Sequence, residues 1–157
     1  MIGARWDEVD FIAKSWIVPS SRMKAGREHR VPLSTPAIEI LQSLPKEEGN
    51  PYVFIGPRAG GISNMAMATV LRRMDRSDIT VHGFRSTFRD WAAESTAFPN
   101  HVVEMALAHT VGNKVEAAYR RGDLFEKRRK LLNQWSQYCS RLSAGENGSV
   151  HPIRSIG

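Results

Sequence analysis

Apolar residues recur every three or four positions through the second half of the chain, the spacing of one helix face. The pattern predicts helices over residues 82–95, 99–108, 114–121 and 124–142, with Gly112 ending the second of them. The positions on these faces are Phe84, Phe88, Trp91 and Ala92, then Val102, Val103, Ala106 and Leu107, and finally Leu124, Arg128, Leu131, Leu132, Trp135 and Tyr138. The second half is therefore expected to be almost entirely helical.

The first half contains short runs of β-branched and aromatic residues, which are typical of strands. Residues 15–20 (SWIVPS) and 29–33 (HRVPL) predict the two strands of a β-hairpin, with Lys24 near its tip. Residues 52–56 (YVFIG) predict one more short strand, and the loop PRAGG follows it.

Two helices of the first half begin at capping signals. Thr35 followed by Pro36 is the arrangement of an N-cap and a first helical residue, and this helix should end near Leu44. Ser63 can cap a second helix over residues 64–74. Taken together, the elements predict an α+β fold that is mainly α-helical, with a small antiparallel β-hairpin or sheet packed beside a helical core.

The charge balance favours an anionic partner. Among 157 residues, 22 are Lys or Arg and 16 are Asp or Glu, which gives a net charge of +6. Nucleic acid is the first candidate for such a chain, and the alternative is a basic protein whose charge serves only solubility.

The single cysteine, Cys139, allows no intrachain disulfide and makes a structural zinc site unexpected, which indicates a reducing, cytoplasmic setting. No apolar run is long enough to span a membrane, and the first residues lack the layout of a signal peptide.

Five residues have side chains suited to chemistry on a phosphodiester. His82 and Arg85 are three positions apart, so both can point from one helix face. His109 lies at a helix end, Tyr119 is followed by two arginines, and Lys24 is on a hairpin tip. Tyr119 could attack the phosphorus while Arg85 and the two histidines stabilise the charge and Lys24 protonates the leaving oxygen. Cations on the protein would take the place of a metal, so no cofactor is expected.

Each of the five also has an ordinary structural explanation. His82 alone is more often a histidine at a helix start, and Arg85 a surface or ion-paired arginine. Tyr119 alone is more often packed against a helix, and Lys24 is typical of a solvated turn. His109 alone could simply favour the dipole at its helix end. The spacing by itself does not choose between the two interpretations.

The order of the motifs is more specific than any single residue. The segments WIVPSSRMKAGREHRVPLS, VHGFRSTFRDWAAE, LAHTVGNKVEAAYRR and KRRKLLNQW follow one another along the chain. This series, over about residues 3–141, resembles the catalytic domain of tyrosine recombinases, or phage integrases, and above all those of P4-like prophages.

The resemblance implies a role for each of the five residues. Lys24 matches the family's hairpin lysine, His82 and Arg85 its His-x-x-Arg pair, His109 its next histidine and Tyr119 its nucleophile. The implied reaction joins the tyrosine to a DNA 3′ phosphate, frees a 5′ hydroxyl and needs no ATP. The implied partners are double-stranded DNA and other integrase protomers, assembled as a tetramer on DNA.

The resemblance also predicts that part of the machinery lies elsewhere. The family uses an earlier arginine in a TGxRxxE-like segment, and Arg5 does not occupy the matching position. We therefore expect an N-terminally incomplete catalytic domain over residues 1–142, a loose tail over residues 143–157, and weak or absent recombination by this chain alone. The alternative is a remnant that binds DNA or an integrase partner without cutting.

The last predicted helix has two interpretations. In this family it often docks on a neighbouring protomer, but the apolar stripe of Leu131, Leu132 and Trp135 is equally suited to an internal core. A metal-dependent nuclease is disfavoured because the chain has no cluster of acidic residues, and the larger architecture of type IB topoisomerases is not visible in the sequence.

Overall fold

The computed structural model describes residues 2–56, 60–109 and 122–143. Three short antiparallel strands form one sheet in the order β1 (Val9–Asp10), β2 (Ser15–Val18) and β3 (His29–Pro32). The predicted hairpin is confirmed as the pair β2 and β3, in which Trp16 lies opposite Val31. Strand β1 was not predicted, because two residues are too few to show an alternating pattern.

The turn from β1 to β2 is held by one side chain. Oδ1 of Asp10 accepts hydrogen bonds from the backbone N–H groups of Ile12 and Ala13, at 2.9 and 2.7 Å. Lys14 completes the turn in the left-handed region, at φ 49°. Such Asp-centred turns are a common way to reverse a chain locally.

The connection from β2 to β3 is anchored at its base and exposed at its tip. It begins with a 3₁₀ turn, Ser20–Arg22, and Gly26 takes a positive φ of 61° that suits glycine. The guanidinium of Arg22 donates to the Glu8 carboxylate and to the Gly3 carbonyl. Lys24, two residues further on, is exposed at the tip.

Helix α1 spans Thr35–Ser43 and follows β3 directly. Its N-cap is Ser34, whose hydroxyl accepts from the backbone N–H of Ala37 at 3.4 Å. The prediction of Thr35 as the cap was therefore wrong by one residue. Pro36 falls within the first turn, where its missing N–H is not needed.

Residues 52–56 do not form a strand of the sheet. Tyr52 and Ile55 make only isolated β-bridges, with Arg5 and Gly61 respectively. Helix α2 spans Ala66–Arg73, so it begins two residues later than predicted. The hydroxyl of Ser63 does not cap it, and instead the Ser63 carbonyl accepts from the N–H of Ala66 at 3.0 Å.

Three helices of the second half form the main core. Helices α3 (Gly83–Ser95), α4 (Asn100–Ala106) and α5 (Phe125–Ser143) confirm the predicted helical face positions except Phe84 and Tyr138, of which Tyr138 is 37% exposed. Phe84 is 56% exposed and does not join the core. The buried cluster consists of Phe88, Trp91, Ala92, Val102, Val103 and Leu131.

Aromatic rings connect α3 with α5 at the edge of this cluster. The ring of Trp135 lies 5.4 Å from that of Phe88, edge to face, and 5.0 Å from that of Trp91. Leu131 is fully buried, while Leu132 and Trp135 pack against the cluster from its rim. These three residues of the apolar stripe of α5 therefore belong to the internal core of the same chain.

The fold is α+β and mainly helical, as predicted, with the sheet beside the helices. The predicted helix over 114–121 and the predicted helix end at Gly112 lie outside the described residues, as does the predicted tail beyond Ser143. Within the described ranges, no helix is long and apolar enough to cross a membrane.

Candidate active site

Arg85 and His109 are in direct contact, although 24 residues separate them in the sequence. Arg85 extends from the first turn of α3, and His109 follows the end of α4. The Nη2 atom of Arg85 lies 2.8 Å from Nε2 of His109, and Nη2 also donates to the carbonyl of Leu107. Both side chains are exposed, so the pair lies open to a ligand.

The position of His109 is set by the way α4 ends. The N–H of Ala108 donates to the Met105 carbonyl at 3.1 Å, and the N–H of His109 donates to the Glu104 carbonyl at 2.9 Å. Ala108 itself is left-handed, with φ 54°. This pair of bonds is the Schellman arrangement, which normally has glycine where Ala108 stands.

The contact with Arg85 determines which ring nitrogen of His109 carries the proton. A guanidinium has only donors, so Nε2 of His109 must accept. The proton of the neutral ring is then on Nδ1, which lies 2.7 Å from Oε2 of Glu104 and donates to it. Glu104 and Arg85 thus hold the imidazole from its two nitrogens.

Glu104 is in turn fixed by a second arginine of α3. Nε of Arg89 donates to Oε1 of Glu104 at 2.8 Å, so both carboxylate oxygens have partners. Burial opposes ionisation of Glu104, but the hydrogen bond from His109 and the positive charge of Arg89 outweigh it, and the pKa of the carboxyl is below its ordinary value. Glu104 is therefore a carboxylate at neutral pH.

The open part of Arg85 is suited to an oxyanion. Within the described residues, Nε and Nη1 of Arg85 have no hydrogen-bond partner. A guanidinium at an exposed surface can offer several N–H donors to the oxygens of one phosphate.

Among the described residues, no side-chain hydrogen bond joins His82 or Lys24 to this pair. His82 is the N-cap residue of α3, is exposed, and accepts the Arg85 N–H through its carbonyl at 3.0 Å. Thr80 supplies the capping oxygen instead, because its hydroxyl accepts from the N–H of Gly83 at 3.1 Å. Among the residues described, the Lys24 ammonium has no hydrogen-bond or ion-pair partner.

Tyr119 lies outside the described residues, between His109 and Gly122. Its predicted role as nucleophile therefore stays a prediction, as do the roles of the other four residues.

Three polar residues of this region were not predicted from the sequence. Arg89 is four positions after Arg85, so its place on the same helix face could have been recognised. Glu104 carries no comparable signal, because only the turn at Ala108 brings it to His109.

His29 of β3 is the third. Burial first, and then the charge of Arg128, lower the pKa of His29, and the charge of Arg85 acts in the same direction. A hydrogen bond to the backbone of Ala106 opposes the shift. His29 therefore lies in the electrostatic field of the candidate site and is neutral at pH 7.

Comparison with known proteins identifies relatives along most of the chain. The chain is 37% identical over 161 residues to prophage integrase IntA of Escherichia coli (strain K12), a match that covers 98% of this chain and 38% of that protein. It is 30% identical over 154 residues to the integrase of Enterobacteria phage P4, covering 86% of this chain and 35% of the relative. A further relative is the integrase of Shigella phage Sf6, at 28% identity over 139 residues, covering 85% of this chain and 36% of that protein.

The chain thus spans somewhat more than a third of the length of the relatives it matches. No solved structure matches the chain at a significant level. The sequence profile of the Phage integrase family matches residues 1–124, which include the whole described site, and the chain accordingly belongs to that family.

Proposed function

We propose that residues 1–142 are the catalytic domain of a site-specific DNA recombinase that breaks and rejoins strands through a 3′-phosphotyrosine intermediate. The observation that carries the proposal is the contact of Arg85 with His109 at 2.8 Å, because it brings two separate motifs together at one exposed site suited to a phosphate. Family membership supports the same chemistry.

In this proposal Tyr119 is the nucleophile. Arg85 and His109 bind the non-bridging oxygens of the scissile phosphate, and His82 adds a donor from the helix start. Negative charge on the non-bridging oxygens of the transition state is stabilised by donors that are in place once the phosphate is bound, so little reorganisation is needed during the reaction.

Lys24 is the proposed general acid for the departing 5′ oxygen. Arg22 anchors the base of its loop to Glu8 and to the Gly3 carbonyl, whereas Lys24 is exposed and unpaired among the described residues. An ammonium on an exposed tip is able to move onto DNA that lies across the site. As the Tyr119 oxygen bonds to phosphorus and the bond to the 5′ oxygen breaks, the phenol proton would leave to solvent and the leaving oxygen would take a proton from Lys24. The phosphotyrosine would conserve the energy of the broken bond.

We further propose that this chain alone reacts weakly or not at all. Its relatives are more than twice as long, and the family's additional arginine and DNA-clamping domains are expected in the part that the match does not cover. The partners would be double-stranded DNA and other integrase protomers.

A covalent trapping experiment tests the proposal. The chain is incubated with nicked suicide duplexes whose sequences come from the junctions of the genetic element that encodes it. A denaturing gel then detects a protein–DNA adduct. We expect little adduct from the chain alone and abundant adduct when the upstream segment found in its relatives is restored.

Substitution of the nucleophile provides the control. Tyr119→Phe should abolish the adduct, whereas Tyr138→Phe, a matched change on α5 in a ring that packs on Trp91 and Trp135, should leave it intact. An adduct that persists in Tyr119→Phe would show that another residue is the nucleophile.

The second candidate function is a binding module that grips DNA or an integrase without cutting. The net charge of +6 favours it. Salt-dependent binding to the same duplexes, with no adduct even after the upstream segment is restored, would select this function over catalysis.

A further inference from the structure

Among the residues that the structure describes, Glu104 is the acidic group in contact with the candidate phosphate-binding pair. Its Oε2 lies 2.7 Å from Nδ1 of His109, while its Oε1 accepts from Arg89 at 2.8 Å. The side chain is only 15% exposed, so water competes weakly for both oxygens. A carboxylate held in this way has a fixed orientation toward the ring.

In the described geometry His109 is an acceptor toward Arg85. A protonated ring would set an Nε2–H against the Nη2–H groups of the guanidinium, and the two cations would repel each other. Neutral His109 with its proton on Nδ1 satisfies both neighbours at once.

A bound phosphate changes the hydrogen bonds that Arg85 and His109 can make. A guanidinium has two edges on which a pair of N–H groups points in the same direction. Both of these edges include an N–H of Nη2. In Arg85 the N–H groups of Nη2 are used by the Leu107 carbonyl and by His109. An anion held by two bonds takes one of them and brings its oxygens close to the ring.

The lone pair on Nε2 of His109 would then face an anionic oxygen, which is unfavourable. Uptake of a proton from water converts Nε2 into a donor to that oxygen, and the carboxylate of Glu104 stabilises the resulting imidazolium through Nδ1–H. The groups that face His109 in the described residues are Arg85 from α3 and Glu104 from α4, with Arg89 behind Glu104.

We infer that Glu104 is a positioning residue: it holds His109 as the Nδ1-protonated tautomer when no anion is bound and stabilises the imidazolium that forms when a phosphate binds to Arg85. The inference rests on the proposed function for its biological meaning. In physical terms, it states that His109 takes up a proton when an oxyanion binds to the site.

Ring ¹⁵N spectra of the whole chain test the first part without any substitution. We expect the Nδ1-protonated tautomer of His109 in the free protein at about pH 8, with the signals assigned from the spectrum of a His109→Gln variant. An Nε2-protonated tautomer would overturn the inference.

Sulfate, which stays fully ionised, is the probe for the second part. It should convert the His109 signals to the imidazolium pattern near neutral pH. Because one proton is taken up per anion, sulfate affinity should fall by a factor that approaches about tenfold per pH unit above neutrality. Failure of sulfate to perturb His109 would also overturn the inference.

Glu104→Gln keeps an oxygen that can accept from Nδ1 but removes the charge. The tautomer should therefore persist, while the pH dependence of sulfate affinity should shrink to less than about twofold per unit. The matched control is Glu94→Gln, an exposed position of α3, which should behave like the parent. Equal pH dependence in Glu104→Gln and in the parent would exclude a role for the carboxylate.

The outcomes are independent of strand transfer, because sulfate binding needs no tyrosine. If the pH-linked binding is found but no DNA adduct ever forms, the recombinase proposal fails and the role of Glu104 stands. If an adduct forms but sulfate binding is not linked to pH, the recombinase proposal stands and the role of Glu104 fails.

Discussion

The buried guanidinium of Arg128 donates to the carbonyl oxygen of Arg30, which lies 98 residues earlier in the chain. The same guanidinium donates to the backbone and the carboxylate of Asp123, at 2.7 and 3.0 Å. Arg128 is 1% exposed, and burial lowers its pKa although Asp123 opposes the shift. The start of α5, just after the segment that contains Tyr119, is thereby tied to strand β3, which leads back to the Lys24 loop.

Loss of this anchor should strongly destabilise the fold. Arg128→Met removes the donor to the carbonyl oxygens of Arg30 and Asp123 and the closer of two cations at Oδ2 of Asp123. Removal of one partner from such a network costs about 2–4 kcal/mol. Urea unfolding should show a lower midpoint with an unchanged slope. The neighbouring exposed change Lys130→Met should stay within about 0.5 kcal/mol of the parent, and a similar loss there would mean that net charge, not the anchor, is responsible.

Ala108→Gly should stabilise the protein, which is unusual for a glycine substitution. Ala108 has φ 54° at the end of α4, where a Cβ is strained, and relief of that strain should exceed the added freedom of the unfolded chain by roughly 0.5–1 kcal/mol. Thermal unfolding measures the change. Ala93→Gly, an exposed position within α3, should have the opposite sign and cost about 1 kcal/mol.

Two adjacent leucines of α5 should differ clearly in their contribution to stability. Leu131 is 0% exposed within the main cluster, so Leu131→Ala should cost about 2–5 kcal/mol through lost burial and the cavity it leaves. Leu132 is half-buried at the rim, so Leu132→Ala should cost less. If urea unfolding shows that both substitutions lower the free energy of unfolding equally, α5 does not pack on α3 and α4 as described.

Much of this fold was predictable because strong local patterns determine it. The face of α3 formed by Phe88, Trp91 and Ala92 follows directly from helical spacing, and it lies in the core. Errors arose where a single residue decides the outcome. Ser34 and Thr35 are both good capping residues, so residue type alone does not choose between them.

The candidate site was predictable only in part, because its contacts are between elements. Arg85 and His109 could be identified as candidates, but their 2.8 Å contact depends on how α3 meets α4. Glu104 contacts His109 only because the chain makes a left-handed turn at Ala108. An alanine in a sequence does not predict that conformation.

Stability should fall as the pH drops below about 6.5 because of His29. Its pKa is lowered from 6.5 in the folded state, so the unfolded chain binds its proton first and unfolding is favoured as the pH falls through that value. The slope for one proton is at most about 1.4 kcal/mol per pH unit. The pKa of Glu104, which is lowered from 4.5, affects stability only at more acidic pH.

His29→Gln removes the titrating group while retaining a side chain that can donate to the backbone of Ala106. Urea unfolding at several pH values between about 7.5 and 5.5 should therefore show a flatter profile than the parent. If the variant keeps the full loss of stability over this range, another group is responsible.

Arg85 should account for one phosphate contact in DNA binding. For a duplex, each neutralised phosphate contributes about 0.9 to the slope of log affinity against log salt. Arg85→Ala should therefore reduce that slope by about 0.9, measured by fluorescence anisotropy on a short labelled duplex. Arg76→Ala is the matched control, because Arg76 is exposed but already paired with Asp78 at 2.8 Å, and it should leave the slope unchanged. A slope that is equal in Arg85→Ala and in the parent would mean that DNA does not reach the Arg85 and His109 pair.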